Sequence, residues 1–244
     1  MWQSTNVIAR IDWNERLFSL RLAAKIPFEA GQFIKLSLPS EDRRLARAYS
    51  LVNSPTADFS EILAMEVADG QLSPRLHHLN VGDALDISTS ATGFLTLSEL
   101  PAQGEHLWLL ATGTGVGPFI SILQSSQVWQ RFTQVVLVYG VRQVSDLAYR
   151  EQIAQIAAAR PNFHFVSAIS RQADETSYPG RITTALETGE LEKRVGLSLS
   201  PTQSQIMLCG NPEMIKQCND LLTERGFSKN LRRAPGQITT EKYW

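Results

Sequence analysis

The 244-residue chain sets 23 Lys and Arg against 24 Asp and Glu for a net charge of −1, with 43% hydrophobic and 19% charged residues. That balance excludes a disordered or fibrous chain and leaves no overall positive field to hold a polyanion, so no nucleic-acid partner is expected. No window approaches the ~18 apolar residues of a membrane helix, the N-terminus lacks a secretory pattern, and Cys209 and Cys218 match neither a disulfide framework nor a zinc spacing, so the expectation is a cytoplasmic protein without membrane insertion or metal.

In chain order, residues 5–95 show short period-two runs broken by turns. Runs at 7–11 and 17–22 come first. GQFIKLSLP then puts Ile34, Leu36 and Leu38 on one face and Lys35 and Ser37 on the other, entered through Gly31 and stopped at Pro39. Further runs follow at 48–52, 62–67 and 84–87. Six strands at this spacing predict an antiparallel barrel or sandwich. One helix interrupts them over SPRLHHL, where Ser73 is the candidate N-cap and Pro74 takes the first helical position.

After Pro101 the pattern changes to continuous apolar runs followed by helical segments, as buried parallel strands with crossover helices require. Strands are expected at 107–111, 135–139, 164–169 and 206–209. Helices are expected near 118–125, 149–159 and 213–225, the last closed by Gly226. The switch falls in ELPAQGE, which divides the chain into expected domains 1–101 and 102–244.

The strongest local signal is LWLLATGTGVGPFISIL, an apolar strand, a glycine-rich turn and an apolar helix. Gly113, Gly115 and Gly117 would let the backbone approach a ligand, and the free N–H groups of the following helix favour a phosphate. The spacing is G-x-G-x-G-P rather than the dinucleotide fingerprint, so a tight connection alone is the competing reading. Where an NAD-type fold carries an acidic residue after a later strand, this chain has Arg142, then Ser170 and Arg171, then Arg181. Arginine's planar fork suits a 2′-phosphate and would select NADP over NAD; solvated loop arginines are the alternative.

RAYSLVNSP places Arg47 and Tyr49 on one side of a strand, followed by Ser50. Such a set can hold a diphosphate and cover an aromatic ring, although a strand tyrosine also serves as half-buried packing. The chain ends in TTEKYW, two large aromatics that need a surface to stack on, either a ligand or a protein groove. The four histidines, His77, His78, His106 and His164, are scattered and receive no catalytic role.

Taken together, RAYSLVNSP, DGQLSPRL, GDALDIS with ATGFL, LLATGTGVGPF, SRQ with GRI, MLCGNPEM, LRRAPGQ and EKYW resemble the bacterial ferredoxin (flavodoxin)–NADP⁺ reductases, in family order over nearly the whole chain. The resemblance implies a two-domain β plus α/β fold. A six-stranded antiparallel barrel with a capping helix would bind FAD, and a five-stranded parallel α/β domain would bind NADP(H). Arg47, Ala48, Tyr49 and Ser50 would bind FAD, with the backbone at Met65, Glu66, Val67, Gly70, Gln71, Leu72 and Ser73 completing that site. Thr114 would lie where both cofactors meet, and Cys209 and Gly210 would border the nicotinamide, beside the NADP turn of Gly113, Gly115 and Gly117. Arg142, Ser170, Arg171 and Arg181 would take the 2′-phosphate end. Tyr243 would cover the second flavin face and Trp244 the adenine of FAD.

The activity implied is FAD-mediated electron transfer between NADPH, which gives hydride, and the one-electron carriers ferredoxin or flavodoxin. Ser50, Thr114, Cys209 and Glu241 would hold the reacting rings, and Tyr243 would gate them. Many family members read A-A-R where this chain reads Gly140-Val141-Arg142. Arg43, Arg44, Lys229, Arg232 and Arg233 are candidates for steering an acidic carrier, against the plainer reading of solvated charges. A monomer is expected. A related flavin reductase with another acceptor, or a flavin-bearing sensor or electron-transfer subunit, would carry the same cofactor motifs.

Overall fold

The computed structural model describes residues 1–38 and 44–242. Its first half holds six antiparallel strands: β1 (Trp2–Asp12), β2 (Leu17–Leu22), β3 (Phe33–Ser37), β4 (Ala46–Ser50), β5 (Ser60–Met65) and β6 (Ala84–Ser88). Their order is β4-β3-β6-β1-β2-β5, and a bridge from Leu51 to Ile62 brings the two outer edges together into a barrel. β1 begins earlier than its apolar alternation predicts because it serves two partners. Its first half pairs with β6, its second with β2, and a bulge between Val7 and Ala9 turns it between them.

The barrel interior is filled by Phe18, Leu20, Leu22, Ile34, Leu36, Ile62, Leu85 and Ile87, all fully buried. Helix α1 (Ser73–His77) closes one end with Leu76, preceded by buried Leu72. Ser73 is not its N-cap. Leu72 occupies that position, and the Ser73 hydroxyl instead accepts the Val67 N–H of the preceding turn at 3.1 Å, a local side-chain bond that competes with capping.

The second half is a parallel sheet of β7 (His106–Thr112), β8 (Gln134–Val141), β9 (Phe163–Ile169), β10 (Tyr178–Pro179), β11 (Ser204–Gly210) and β12 (Ile238–Lys242), in the order β10-β9-β8-β7-β11-β12. The sheet therefore has six strands rather than five. The two beyond the four apolar runs are the two-residue β10 and the polar ITTEK of β12, whose extended state comes from pairing with β11 rather than from its own pattern.

One face of this sheet packs under α2 (Gly117–Leu123), α3 (Ser126–Arg131) and α4 (Arg150–Ala159), the other under α5 (Ile182–Glu187), α6 (Glu190–Val195) and α7 (Pro212–Glu224). Gly226 ends α7 at φ +86°, as expected of a helix-terminating glycine. The first of these cores also takes in Leu17, Ala30, Val52 and Leu63 of the first half, while the barrel interior forms a cluster of its own. β2 is thus buried on both faces, with Phe18 and Leu20 inside the barrel and Leu17 toward the second half. The connecting segment is fixed as well, since Arg131 of α3 donates to the carbonyls of Leu97, Leu100 and Pro101.

Candidate cofactor site

All strands of the second sheet run the same way, so their carboxyl ends emerge along one edge. Chain order reverses at β7, which has β8 on one side and β11 on the other. That is the switch point where open α/β sheets bind ligands. Two close backbone approaches build it. A Cβ on Gly115 would lie 2.5 Å from the Cys209 carbonyl oxygen, and Gly210, at φ +128°, would put one 2.5 Å from the Thr112 carbonyl oxygen. Only glycine permits either approach. Asn211 then donates its N–H to Thr112 Oγ1 at 2.9 Å and caps α7 by accepting the N–H groups of Glu213 and Met214. The crevice wall is therefore locked from both sides, a role for Asn211 that the Asn-Pro pair of GNPEM signals and sequence reading missed.

The glycine-rich turn divides its labour differently from expectation. A 3-10 turn over Gly113–Val116 precedes α2, which starts at Gly117 rather than Pro118. Gly115 serves strand packing and Gly117 sits against Val52, while a Cβ on Gly113 would meet only open space. Thr114 is buried in the same turn, and Cys209 is fully buried beside it in register with Ala111 and Glu241.

β12 carries Glu241 to the mouth of this crevice. Across the gap, at the end of β4, the buried Ser50 hydroxyl donates to Glu241 Oε1 at 3.3 Å. Burial pushes the Glu241 carboxyl up to about 7, with the Ser50 hydrogen bond pulling it the other way. The structure thus joins Ser50, Glu241 and Cys209 at one place, from two sheets that the sequence separates by more than a hundred residues.

On the barrel side, Tyr49 is half-buried against the core, and burial pushes its phenol up to about 12 against the pull of Arg47. It is a neutral aromatic at any physiological pH. Ala48 and Arg47 are exposed, and Arg47 also donates to the Ala46 carbonyl at 2.9 Å. Met65 ends β5, and the turn after it is closed by Gly70 N–H to Val67 O at 2.8 Å and by the Ser73 bond to Val67. The Glu66 carboxylate faces His77 Nδ1 at 3.2 Å. Gln71 is exposed, whereas the Leu72 side chain belongs to the barrel core.

Along the sheet edge, the loops after β8 and β9 are joined. Arg171 N–H donates to Arg142 O at 2.9 Å, and both the N–H and the hydroxyl of Ser170 reach Val141 O. Gly180 N–H binds Ile169 O at 2.9 Å, which brings Arg181 to the same end. Arg142, Arg171 and Arg181 are exposed, and none forms an ion pair among the described residues. Gly140, where the family pattern has alanine, leaves room for Ile182, whose side chain would lie 2.9 Å from a Cβ there.

Tyr243, Trp244 and Arg43 lie outside the described residues. Of the other candidates for carrier steering, Arg44 is held by Asp86 at 2.7 Å and lies over the Trp2 ring, so its charge is compensated within the chain. Lys229, Arg232 and Arg233 are exposed, with Arg232 over the Phe94 ring. Among the described residues no helix is long and apolar enough to cross a membrane, and no group of three or more His, Cys, Asp or Glu is poised to hold a metal ion.

Residues 5–95 match the oxidoreductase FAD-binding domain and residues 109–220 the oxidoreductase NAD-binding domain. A flavodoxin/ferredoxin–NADP reductase of Escherichia coli (strain K12) is 42% identical over 246 residues, covering 100% of this chain and 99% of the relative. One from Buchnera aphidicola subsp. Schizaphis graminum is 39% identical with the same coverage. The chain belongs to the flavodoxin/ferredoxin–NADP reductase family. Among solved structures of this reductase family, a ferredoxin NADP⁺ reductase from Neisseria gonorrhoeae with bound FAD and NADP superposes with a TM-score of 0.94 at 30% identity, covering 100% of this chain and 99% of the other.

The residues here fit both groups of such a reductase. The open space at Gly113, the crevice that Gly115 and Gly210 allow, and three guanidinium groups without an ion pair among the described residues suit a phosphorylated dinucleotide. A neutral tyrosine, an exposed arginine and a buried hydroxyl on one strand suit a flavin and its diphosphate.

Proposed function

We propose that this protein is an FAD-dependent ferredoxin (flavodoxin)–NADP⁺ reductase, moving electrons between NADPH and the one-electron carriers ferredoxin or flavodoxin. The observation that carries the reading is the Ser50–Glu241 hydrogen bond, which spans the two sheets at the mouth of the crevice beside Cys209. When bound, FAD supplies the chemistry that links two-electron exchange with a nicotinamide to one-electron exchange with a carrier.

The chain's part is to bind, orient and shield. Residues 1–101 form the FAD-binding domain and residues 102–244 the NADP(H)-binding domain. Tyr49 would hold the flavin ring, Arg47 would neutralise its diphosphate charge, and the backbone from Met65 to Ser73 would line the rest of that site. Thr114, Cys209 and Gly210 border the nicotinamide, where the buried Cys209 excludes water. Glu241, poised to gain or lose a proton near neutral pH, holds that proton at a carboxyl oxygen within reach of Ser50. Arg142, Ser170, Arg171 and Arg181 take the 2′-phosphate through charge-assisted bonds. Both cofactor sites draw on residues of a single chain, which a monomer working on a cytoplasmic nucleotide pool satisfies.

The test is NADPH-dependent reduction of a ferredoxin and of a flavodoxin, each added to the FAD-loaded protein. Reduction of either carrier, faster with NADPH than with NADH, supports the reading. Turnover confined to free flavin or a haem protein, with neither carrier reduced, moves the chain to another acceptor class.

A further inference from the structure

Away from the crevice, Tyr149 is the one described non-glycine residue with positive φ, at 58°, immediately before α4. L side chains avoid this region, so the surroundings must hold it there. Its phenol is buried, and its hydroxyl donates to Glu61 Oε1 at 2.6 Å while lying 2.6 Å from Ser19 Oγ. Trp13 Nε1 donates to the same Ser19 oxygen at 2.9 Å, and the Trp13 and Tyr149 ring centroids are 4.6 Å apart. An indole N–H only donates and a carboxylate only accepts, which fixes the direction of the chain of bonds from Trp13 through Ser19 and Tyr149 to Glu61. Arg21 Nε supplies the second donor to Glu61 at 2.6 Å. Trp13, Ser19, Arg21 and Glu61 are barrel residues; Tyr149 alone comes from the other half.

Tyr149 ends the loop 142–149, whose first residue is Arg142. The same loop is tied to the barrel again through Asn14, which donates to Asp146 Oδ1 at 3.0 Å and to the Ser145 carbonyl at 3.1 Å. Within the loop Asp146 Oδ2 accepts Gln143 N–H at 3.0 Å, and Val144 N–H donates to Gln172 Oε1 at 2.9 Å, next to Arg171. Arg142 therefore stands on a loop whose far end is fastened to the flavin-side barrel, and Arg171 stands on the neighbouring loop after β9, tied to the first by its own N–H to Arg142 O and by Gln172.

We propose that Tyr149, bonded to Glu61 and assisted by the Asn14 tie, is a positioning residue that holds Arg142 and Arg171 for recognition of the nucleotide 2′-phosphate; this rests on the reading that those arginines take it. Tyr149 touches no phosphate. It acts by fixing the end of the loop, and it couples nucleotide selection to the seating of one half on the other.

The experiment is calorimetric binding of 2′-phospho-AMP and of AMP to the flavin-loaded protein, comparing wild type, Tyr149→Phe, Asn14→Ala and Arg142→Ala. Phenylalanine keeps the ring against Trp13 and removes only the hydroxyl, with its bonds to Glu61 and Ser19. Tyr149→Phe is expected to weaken 2′-phospho-AMP by about 2- to 30-fold, the range of coupling through a network, and to leave AMP unchanged. Should Tyr149→Phe fail to retain flavin, Asn14→Ala is expected to show the same selective loss. Equal weakening of both nucleotides, or no change, while Arg142→Ala loses discrimination, overturns the positioning role alone. Unaltered discrimination in Arg142→Ala overturns the 2′-phosphate reading and the positioning role with it.

Discussion

Glu241 shows how one side chain takes its chemistry from burial. Its carboxyl is pushed up to about 7 from an ordinary 4.5, so the folded chain keeps a proton that the unfolded chain has lost over that interval. The stabilising contribution is complete below the unfolded value and disappears as pH rises through the folded one. Denaturant midpoints should accordingly fall between about pH 5 and about pH 7.5, and Glu241→Gln, which cannot ionise, should flatten that slope. A wild-type slope that survives the substitution assigns the effect to another group. Arg171 makes a second expectation at this scale. Under the proposed function its change to Ala would remove a charge-assisted contact of ~1.5–3 kcal/mol, so the NADPH/NADH ratio of kcat/KM should drop on the order of 10-fold or more; an unaltered ratio takes Arg171 out of the 2′-phosphate site.

Among the elements, the β7–turn–α2 unit and β11 depend on the missing Cβ of Gly115. Gly115→Ala forces backbone apart from the Cys209 carbonyl and is expected to cost about 1–3 kcal/mol, each kcal/mol lowering Tm by about 2–4 °C in a chain of this size. Gly117→Ala meets only the Val52 side chain at 3.3 Å and should be far milder. Equal losses in a thermal melt would mean that the tight packing of β11 on the turn is not what Gly115 provides. The unit itself was legible in the sequence, because an apolar run, three glycines and Pro118 are local signals. β12 was not, since ITTEK is short and polar and becomes a strand by pairing with β11. Ser73 illustrates a subtler failure: a hydroxyl before a helix can cap it or bridge the preceding turn, and only the position of Val67 decides.

The whole molecule is two sheets joined through one of its three apolar cores, and what lay beyond sequence reading is what their contact creates. Ser50 and Glu241 were each readable as candidates, but their hydrogen bond is a property of how the halves meet. Tyr149 carries no local sign of its left-handed backbone, which its bonds to Glu61 and Ser19 and its ring contact with Trp13 hold in place. At this scale the charge distribution makes a further expectation. With Arg44 neutralised by Asp86, steering of an acidic carrier falls to the exposed Lys229, Arg232 and Arg233. Reduction of ferredoxin or flavodoxin should slow as salt rises, and charge-removing changes at these three should weaken that dependence; a salt-independent rate rules out steering by this patch.

The most direct test of the account is anaerobic rapid mixing of the FAD-loaded protein with NADPH and, separately, with NADH, following the flavin absorbance. Fast bleaching by NADPH and slow bleaching by NADH is the expected result, since it requires the crevice to bring the nicotinamide of a 2′-phosphorylated dinucleotide onto the flavin. Flavin that NADPH leaves oxidised, or a protein that holds no flavin at all, would contradict it.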